Sequence, residues 1–462
     1  MPAFTIKQLS CDLTPVAGLS LVGHHLSRLA PVLGRIDAAL PVRTGVATSD
    51  IVRAYVGLLV QGKSDFDAIE NYRGDTFYKQ SLGISLLASS ATLRQRMDAA
   101  AAPLLEHAPA LIETLLAQAR PEFGTLACGW LPLDIDAFVM DNSDTAKQGV
   151  GRTYTGVDGY CPLAAYLGTK GYCLALQLRE GQQHSARGTP EALRQIAPIA
   201  QRLSAAGGKA PILARLDAGF DSAEIMAELA ACNKAAADEG LPRVDWLIKW
   251  NPRKAAADVA TLVALLEGNP ATVWSTPREG KRVTVWNEQV HIEGFERPQR
   301  RVMRLVERTI DARGQRLIEP SIELQGWTTS LRTRQFDAQQ IIALYEGHGA
   351  HEQFHSEFKT DLDLQRLPSG KFATNELVCA LAALAMNILR LLGEAGLHGE
   401  DAPVRHAAKR RRIKTVLQEV MYRAAKFVEH ARRMVLDFGR GVAAHVKVFT
   451  TVQARLCAVA SP

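Results

Sequence analysis

The chain has 462 residues, 47% hydrophobic and 22% charged, with a formal net charge of +6. This is an ordinary globular composition with room for two to four domains, and a charge so mild over such a length makes its distribution more informative than its total. Seven cysteines (11, 128, 161, 173, 232, 379 and 457) show no C-x-x-C pair and no neighbouring His at ligand spacing, which argues against a zinc site or a disulfide framework and fits free thiols in a reducing cytosol.

The N-terminal residues lack a basic region leading into an apolar run, so no signal peptide is expected. Up to about residue 125 the pattern is helical. Ser49 opens one helix, Ser64 to Asp67 cap a second, and Asp75 to Leu82 form a short third that stops at Gly83. A new helix starts near Ser89 with Arg94 and Arg96 in its first turns, so the region has the outline of a helix-turn-helix or of an ordinary helical hairpin with surface arginines.

From Cys128 the pattern turns to strands. Leu133, Ile135 and Val139 alternate with Asp134 and Asp136, placing two acids on one face of an apolar strand, where they need a cation or a partner. Pro162 to Gly168 and Tyr172 to Leu178 form a hairpin around Thr169 to Gly171. Thr189, Pro190 and Glu191 open a helix to about Gly207. A strand from Pro211 ends at Asp217 and Gly219, a helix runs from Ser222, and Val244 to Trp250 make another strand. Hairpins followed by β-α-β crossovers predict a mixed sheet. Residues 251–326 read as an inserted antiparallel β piece, rich in Arg and carrying Trp274 and Trp286, whose basic surface would suit a polyanion.

Asp337 and Gln340 have the spacing of a capping box and start a helix that continues through Glu352. On a continuous wheel Tyr345, His348, Glu352 and Lys359 share a stripe roughly 60° wide, with Phe354 and Phe358 nearly opposite. A carboxylate in that company could hold a metal beside a phosphate, whereas Glu357 points elsewhere. A solvated face with a chance Glu is the plainer alternative, and Gly347 and Gly349 weaken the helix. The apolar run Leu377 to Met386 is too short for a bilayer and reads as a buried core helix. Ten Lys and Arg between 405 and 433, against Glu419 and Glu429 alone, make the last segment strongly basic. Asp136, Asp217 and Glu352, if brought together, would repel one another unless cations neutralised them, and two Mg²⁺ ions would allow phosphoryl transfer without a covalent intermediate.

These residues resemble a family. Tyr345, His348, Glu352 and Lys359 follow the Y-(2)-R-(3)-E-(6)-K signature of bacterial insertion-sequence DDE transposases, with His in the Arg position. Leu133 to Asp136, Asp141 to Asp144, Gly156 to Tyr160, Arg215 to Phe220, and Leu367 to Asn375 are similar to the branch called transposase DDE domain, group 1, over roughly residues 50–440. The resemblance implies an RNase H-like core, a mixed five-stranded sheet with flanking helices. It divides the chain into a helical DNA-binding region (1–125), a first core part (126–250), a β-rich insertion (251–326), a second core part with the Glu helix (327–400) and a basic helical C-terminal region (401–462).

It further implies catalysis by Asp136, Asp217 and Glu352 on two Mg²⁺ ions, for which Mn²⁺ may substitute. Asp134 is an alternative first ligand, less favoured than Asp136. Tyr345, His348 and Lys359 would contact terminal phosphates, Trp327 an unpaired base or the core, and Arg94 and Arg96 DNA. The activity implied is cleavage at inverted-repeat ends and strand transfer into target DNA by an end-paired homodimer in the bacterial cytoplasm. A non-catalytic DNA-binding relic or regulator, or a structure-selective nuclease on the same core, are the alternatives.

Overall fold

The computed structural model describes residues 4, 6, 8, 11–252, 259–349, 351–400, 402–404, 406–430, 433–440 and 442–458. Most of the N-terminal leader, and Arg405 and Arg432 of the basic run, lie outside them. The chain opens with β1 (Asp12–Thr14), α1 (Leu19–Arg28), α2 (Ala30–Ala39), α3 (Thr48–Leu59), α4 (Thr76–Leu82) and α5 (Ser90–Ala119). The caps act where the residue types indicate. Asp75 accepts from the Tyr78 amide at the start of α4, and Ser89 accepts from the Thr92 amide at the start of α5. With 30 residues, α5 is far longer than a recognition helix needs, and it buries Leu93, Met97, Leu104, Leu111 and Leu115 against the rest of the molecule.

The central sheet follows from β2 (Leu131–Ala137), with a small side sheet of β3 (Met140–Asp141), β4 (Gly151–Arg152) and β5 (Asp158–Tyr160), then β6 (Leu163–Leu167), β7 (Tyr172–Gln177), α6 (Thr189–Ala206), β8 (Ile212–Leu216), α7 (Ala223–Asp238) and β9 (Val244–Lys249). Its order is β7-β6-β2-β8-β9. The hairpin strands are antiparallel to one another and to β2, while β2, β8 and β9 are parallel. This is the RNase H-like arrangement, in which short connections give antiparallel neighbours and helical crossovers give parallel ones.

The insertion contains α8 (Val259–Gly268), β10 (Trp274–Arg278), β11 (Lys281–Val290), β12 (Gln299–Ile310) and β13 (Arg316–Thr329). It is continuous with the core, because Trp327, Thr328 and Thr329 of β13 pair with Lys249, Ile248 and Leu247 of β9 and extend the sheet to nine strands. The expected basic surface is largely neutralised. Arg282 pairs with Glu307 across the ladder and with Glu267, Arg301 with Glu288, and Arg308 with Glu323.

The C-terminal part runs through α9 (Ala338–Glu346), α10 (His351–Ser356), α11 (Phe372–Gly396), α12 (Ile413–Val416), β14 (Ala425–His430), β15 (Arg433–Phe438) and α13 (Ala443–Ala458). A wide π turn, Glu357–Asp361, follows α10 directly. The expectation of an all-helical segment after residue 400 is corrected here, since β14 and β15 form a three-stranded sheet with β1. The cause is a period of two: Ala425 and Phe427 are buried and Lys426 between them is exposed.

Helix α11, long and apolar enough to span a bilayer, is instead the buried centre of the molecule, packed along α5 and β7. Its Asn387 amide accepts from the Cys173 amide at 2.8 Å and donates to the Cys173 carbonyl at 2.7 Å, satisfying backbone left open where β7 slips register against β6. One hydrophobic cluster joins residues from Val16 to Leu456, so the N-terminal helices, the core and the C-terminal hairpin share one interior.

The basic run turns inward onto the π turn. Glu357, fully buried, accepts from Arg390 Nη2 at 2.7 Å, Arg410 Nη1 at 2.5 Å and the Ile413 amide at 3.1 Å. Asp361 accepts from Arg412 Nε at 2.9 Å and the Lys414 amide at 3.0 Å. Arg390 is itself 1% exposed. Removing the acid leaves a buried guanidinium uncompensated, so Glu357→Ala should lower unfolding stability by about 3–5 kcal/mol in urea titrations, while Glu400→Ala on the surface should change it little.

Candidate active site

The site is built by register. In the parallel pair β2 and β8, Asp134 lies opposite Arg215 and Ile135 opposite Leu216, so Asp136 and Asp217 follow one step later at the carboxyl ends of adjacent strands. The two levels differ in chemistry. Asp134 accepts from Arg215 Nε at 2.6 Å through one oxygen and from Nη2 at 2.8 Å through the other, with both side chains almost wholly buried. Burial pushes the Asp134 carboxyl up against the pull of Arg215. Asp134 is thereby half of a buried ion pair, with each of its oxygens accepting from Arg215.

Among the described residues no guanidinium pairs with Asp136 or Asp217. Asp136 Oδ1 accepts from the Ala137 amide and Asp217 Oδ1 from the Gly219 amide. Burial, and then the Asp136 charge, raise the Asp217 carboxyl above its usual range. What faces them is a row of imidazoles. His351 Nε2 lies 2.8 Å from Asp136 Oδ2, and His355 Nδ1 lies 3.9 Å from the same oxygen. His348 Nε2 lies 3.6 Å from Asp134 Oδ1. Burial holds His348 and His355 neutral, with pKa values lowered to about 2 and about 3. Burial also works against a proton on His351, but the bond to Asp136 raises its pKa above the ordinary value.

The row arises because the helix is not continuous. Helix α9 keeps its capping box but ends at Glu346, residues 347–349 form a turn, and α10 begins at His351. The wheel that aligned Tyr345 and His348 with Glu352 therefore fails, as two glycines in three residues permit. Glu352 sits exposed on the first turn of α10. Among the described residues it has no hydrogen bond or ion pair, and no three His, Cys, Asp or Glu side chains converge as a formed ion site.

A family model for the transposase DDE domain, group 1, matches residues 37–461. The chain belongs to that family. No curated protein matches. Among solved structures, a piggyBac transposase synaptic complex with hairpin DNA is similar over 87% of this chain and 79% of its own, at 11% identity and a TM-score of 0.39.

The other side chains of this DDE transposase that the sequence singles out divide into three groups. Tyr345 is brought to the site: burial, then Asp217 and Asp136, raise its phenol, and its ring lies 5.8 Å from that of His348. Lys359 lies near the same floor, its ammonium 6.0 Å from the centre of the Phe138 ring. His348 and Trp327 are buried, at 4% and 1% exposure, which for Trp327 is the core placement that the sequence left open. Trp327 packs in the second core between Tyr345 and the Arg304 guanidinium. Arg94 and Arg96 lie in the first turns of α5, Arg94 paired with Asp67 and Arg96 donating to Thr48 Oγ1.

Residues not singled out also belong here. Lys249, at the end of β9, lowers the Asp217 carboxyl, and exposed Tyr154 donates to the Ala137 carbonyl beside Asp136. Only the strand-end position of Lys249 was open to a sequence reading.

The two acid levels should respond oppositely to neutralisation. Asp134→Asn strands Arg215 and should destabilise by about 3 kcal/mol. Asp217→Asn removes a partly buried charge facing another and should stabilise by about 1 kcal/mol at neutral pH. Because the folded pKa of Asp217 is raised, the wild-type penalty is full above that pKa, declines as the pH falls through it and is gone below the ordinary carboxylate value, so the gain should disappear on acidification. Urea midpoints measured from neutral to acidic pH check both signs.

Proposed function

We propose that this chain cleaves DNA at transposon inverted-repeat ends and joins them to target DNA, by metal-dependent phosphoryl transfer centred on Asp136 and Asp217. The observation that supports this reading is the pair of carboxylates at the ends of β2 and β8, partly desolvated and lacking any guanidinium partner. Such a donor set fits a divalent cation, because neutralisation relieves both the repulsion and the burial. Asp136 and Asp217 would hold it, with Mg²⁺ or Mn²⁺ the hard cations that carboxylates favour.

Bound cations there would supply activation of the attacking water or 3′-hydroxyl and neutralisation of the leaving oxygen. The chain's own groups do the rest. Tyr345 offers a phenol donor, and Lys249 and Lys359 offer ammonium groups to the phosphate that lies against the acids. Exposed Tyr154 offers a face on which a base can stack. Glu352, next to His351 in sequence, is the third carboxylate of the DDE set and acts from the solvent side, where DNA enters. Two copies of the chain pair the two ends.

Cleavage of DNA bearing the element's own flanking repeats, with Mg²⁺ or Mn²⁺, tests this reading. Asp136→Asn and Glu352→Gln should each reduce cutting about a thousandfold, a loss of roughly 4 kcal/mol of transition-state stabilisation, while leaving DNA binding intact. Undiminished cutting by Glu352→Gln would remove that residue from the chemistry. Cutting of branched DNA without regard to end sequence would favour a nuclease instead.

A further inference from the structure

We infer that the outer edge of β15 is the surface through which two copies of this chain meet, antiparallel and in a register centred on Val435. The inference rests on the two copies of the reading above and gives them a contact that needs no DNA.

β15 ends the three-stranded sheet β1-β14-β15, and its outer edge pairs with no strand among the described residues. Such an edge offers a row of amides and carbonyls to any chain that can lie beside it, and proteins usually blunt it with proline, a bulge or a very short strand. β15 carries none of these. Its six residues, Arg433 to Phe438, include neither proline nor glycine, and they pair with β14 from Ala425 and Phe438 to His430 and Arg433 without a shift of register. Apolar side chains are left in the open there, Met434 at 61% exposure and Val435 at 46%.

The charges select the occupant. Arg433 and Asp437 are exposed, and neither forms an ion pair or a hydrogen bond among the described residues, although Asp437 stands opposite Lys426 across the ladder. Two β15 strands laid antiparallel about a twofold axis at Val435 set Arg433 against Asp437 of the second copy, Asp437 against Arg433, and Met434 against Leu436. Val435 then meets its own copy. Because Val428 of β14 lies opposite Val435, a row of four valines crosses the joined sheet at the axis. Within β15 no other antiparallel register opposes Arg433 to Asp437. A slip of one residue sets Arg433 against Phe438 or Leu436, and it also turns each side chain to the wrong face. The strip is therefore self-complementary, as an isologous contact must be, with backbone pairing for affinity and two ion pairs for register. Its small area places it among the weaker contacts.

Sedimentation of the full-length protein without DNA, at tens of micromolar, reads this dimer directly. Wild type should dimerise. Arg433→Asp and Asp437→Arg should each weaken the dimer about tenfold or more, since each opposes like charges twice, and the two substitutions together should restore it by rebuilding both pairs. With the three cysteines that are not buried, Cys11, Cys128 and Cys457, changed to serine, Val435→Cys should give a disulfide-linked dimer on mild oxidation and Met434→Cys should not. A monomer at that concentration, a dimer indifferent to the single reversals or not restored by the exchange, or equal cross-linking at both positions overturns the β15 assignment. DNA cleavage that survives such a result leaves the phosphoryl-transfer reading standing.

Discussion

The buried ion pair between Asp134 and Arg215 is the constraint from which the rest of the site follows. It joins two neighbouring parallel strands at one register and, through Arg215 Nη1 donating to the Leu344 carbonyl at 2.9 Å, joins both to α9. Fixing those three elements fixes what comes one step further along each. On the strands that is Asp136 and Asp217; on the helix it is the turn leading to His351. A bidentate guanidinium has one good orientation, so the pair specifies geometry more sharply than apolar contacts of equal area could.

A second set of interactions places α10 from the other side. Its Phe354 ring is fully buried, and Gly171 in the β6–β7 turn, with φ of 70°, leaves room for that ring: a Cβ there would lie 2.2 Å from it. Behind it the π turn puts Glu357 and Asp361 into the grip of Arg390, Arg410 and Arg412. From the insertion, Arg304 of β12 reaches Glu346 at the end of α9. The helix pair is thus anchored at both ends to different parts of the chain, with the turn between them held through buried His348 against Asp134.

Much of this was legible in the sequence. The alternation around Ile135, the hairpin at Thr169 to Gly171, the cap at Asp337 and the buried run after Leu377 each rest on local pattern, whereas at the start of α6 Gly188, not Thr189, holds the cap position. So did the two aspartates, because an acid in an apolar strand is conspicuous. The roles of the histidines were not legible. They depend on where α9 stops, and a wheel drawn through Gly347 and Gly349 assumes the continuity that those glycines remove. The partners of the basic run were hidden for a related reason: Arg410 and Arg412 answer Glu357 and Asp361, acids about fifty residues earlier that only the fold brings near. The same holds for the insertion, whose arginines meet glutamates across the ladder.

The acids of this domain therefore separate into two kinds by what opposes them. Asp134, Glu357 and Asp361 are matched by guanidinium groups and stabilise the fold as pairs, and none has an oxygen to spare for a ligand. Among the described residues Asp136 and Asp217 pair with no guanidinium, and only the Lys249 ammonium and the His351 ring draw on their charge. They stand at the rim of the same sheet, one residue beyond the last β2–β8 pair, where Asp136 is still paired with β6 and both side chains are partly buried. A fold gains no stability from leaving two carboxylates in that condition, and partly buried like charges that persist mark the place where something from outside must bind. The imidazoles above them divide the same way: burial keeps His348 and His355 neutral, while His351, bonded to Asp136, is the ring on which a proton is favoured, so two carboxylates are met by only part of the positive charge that would balance them.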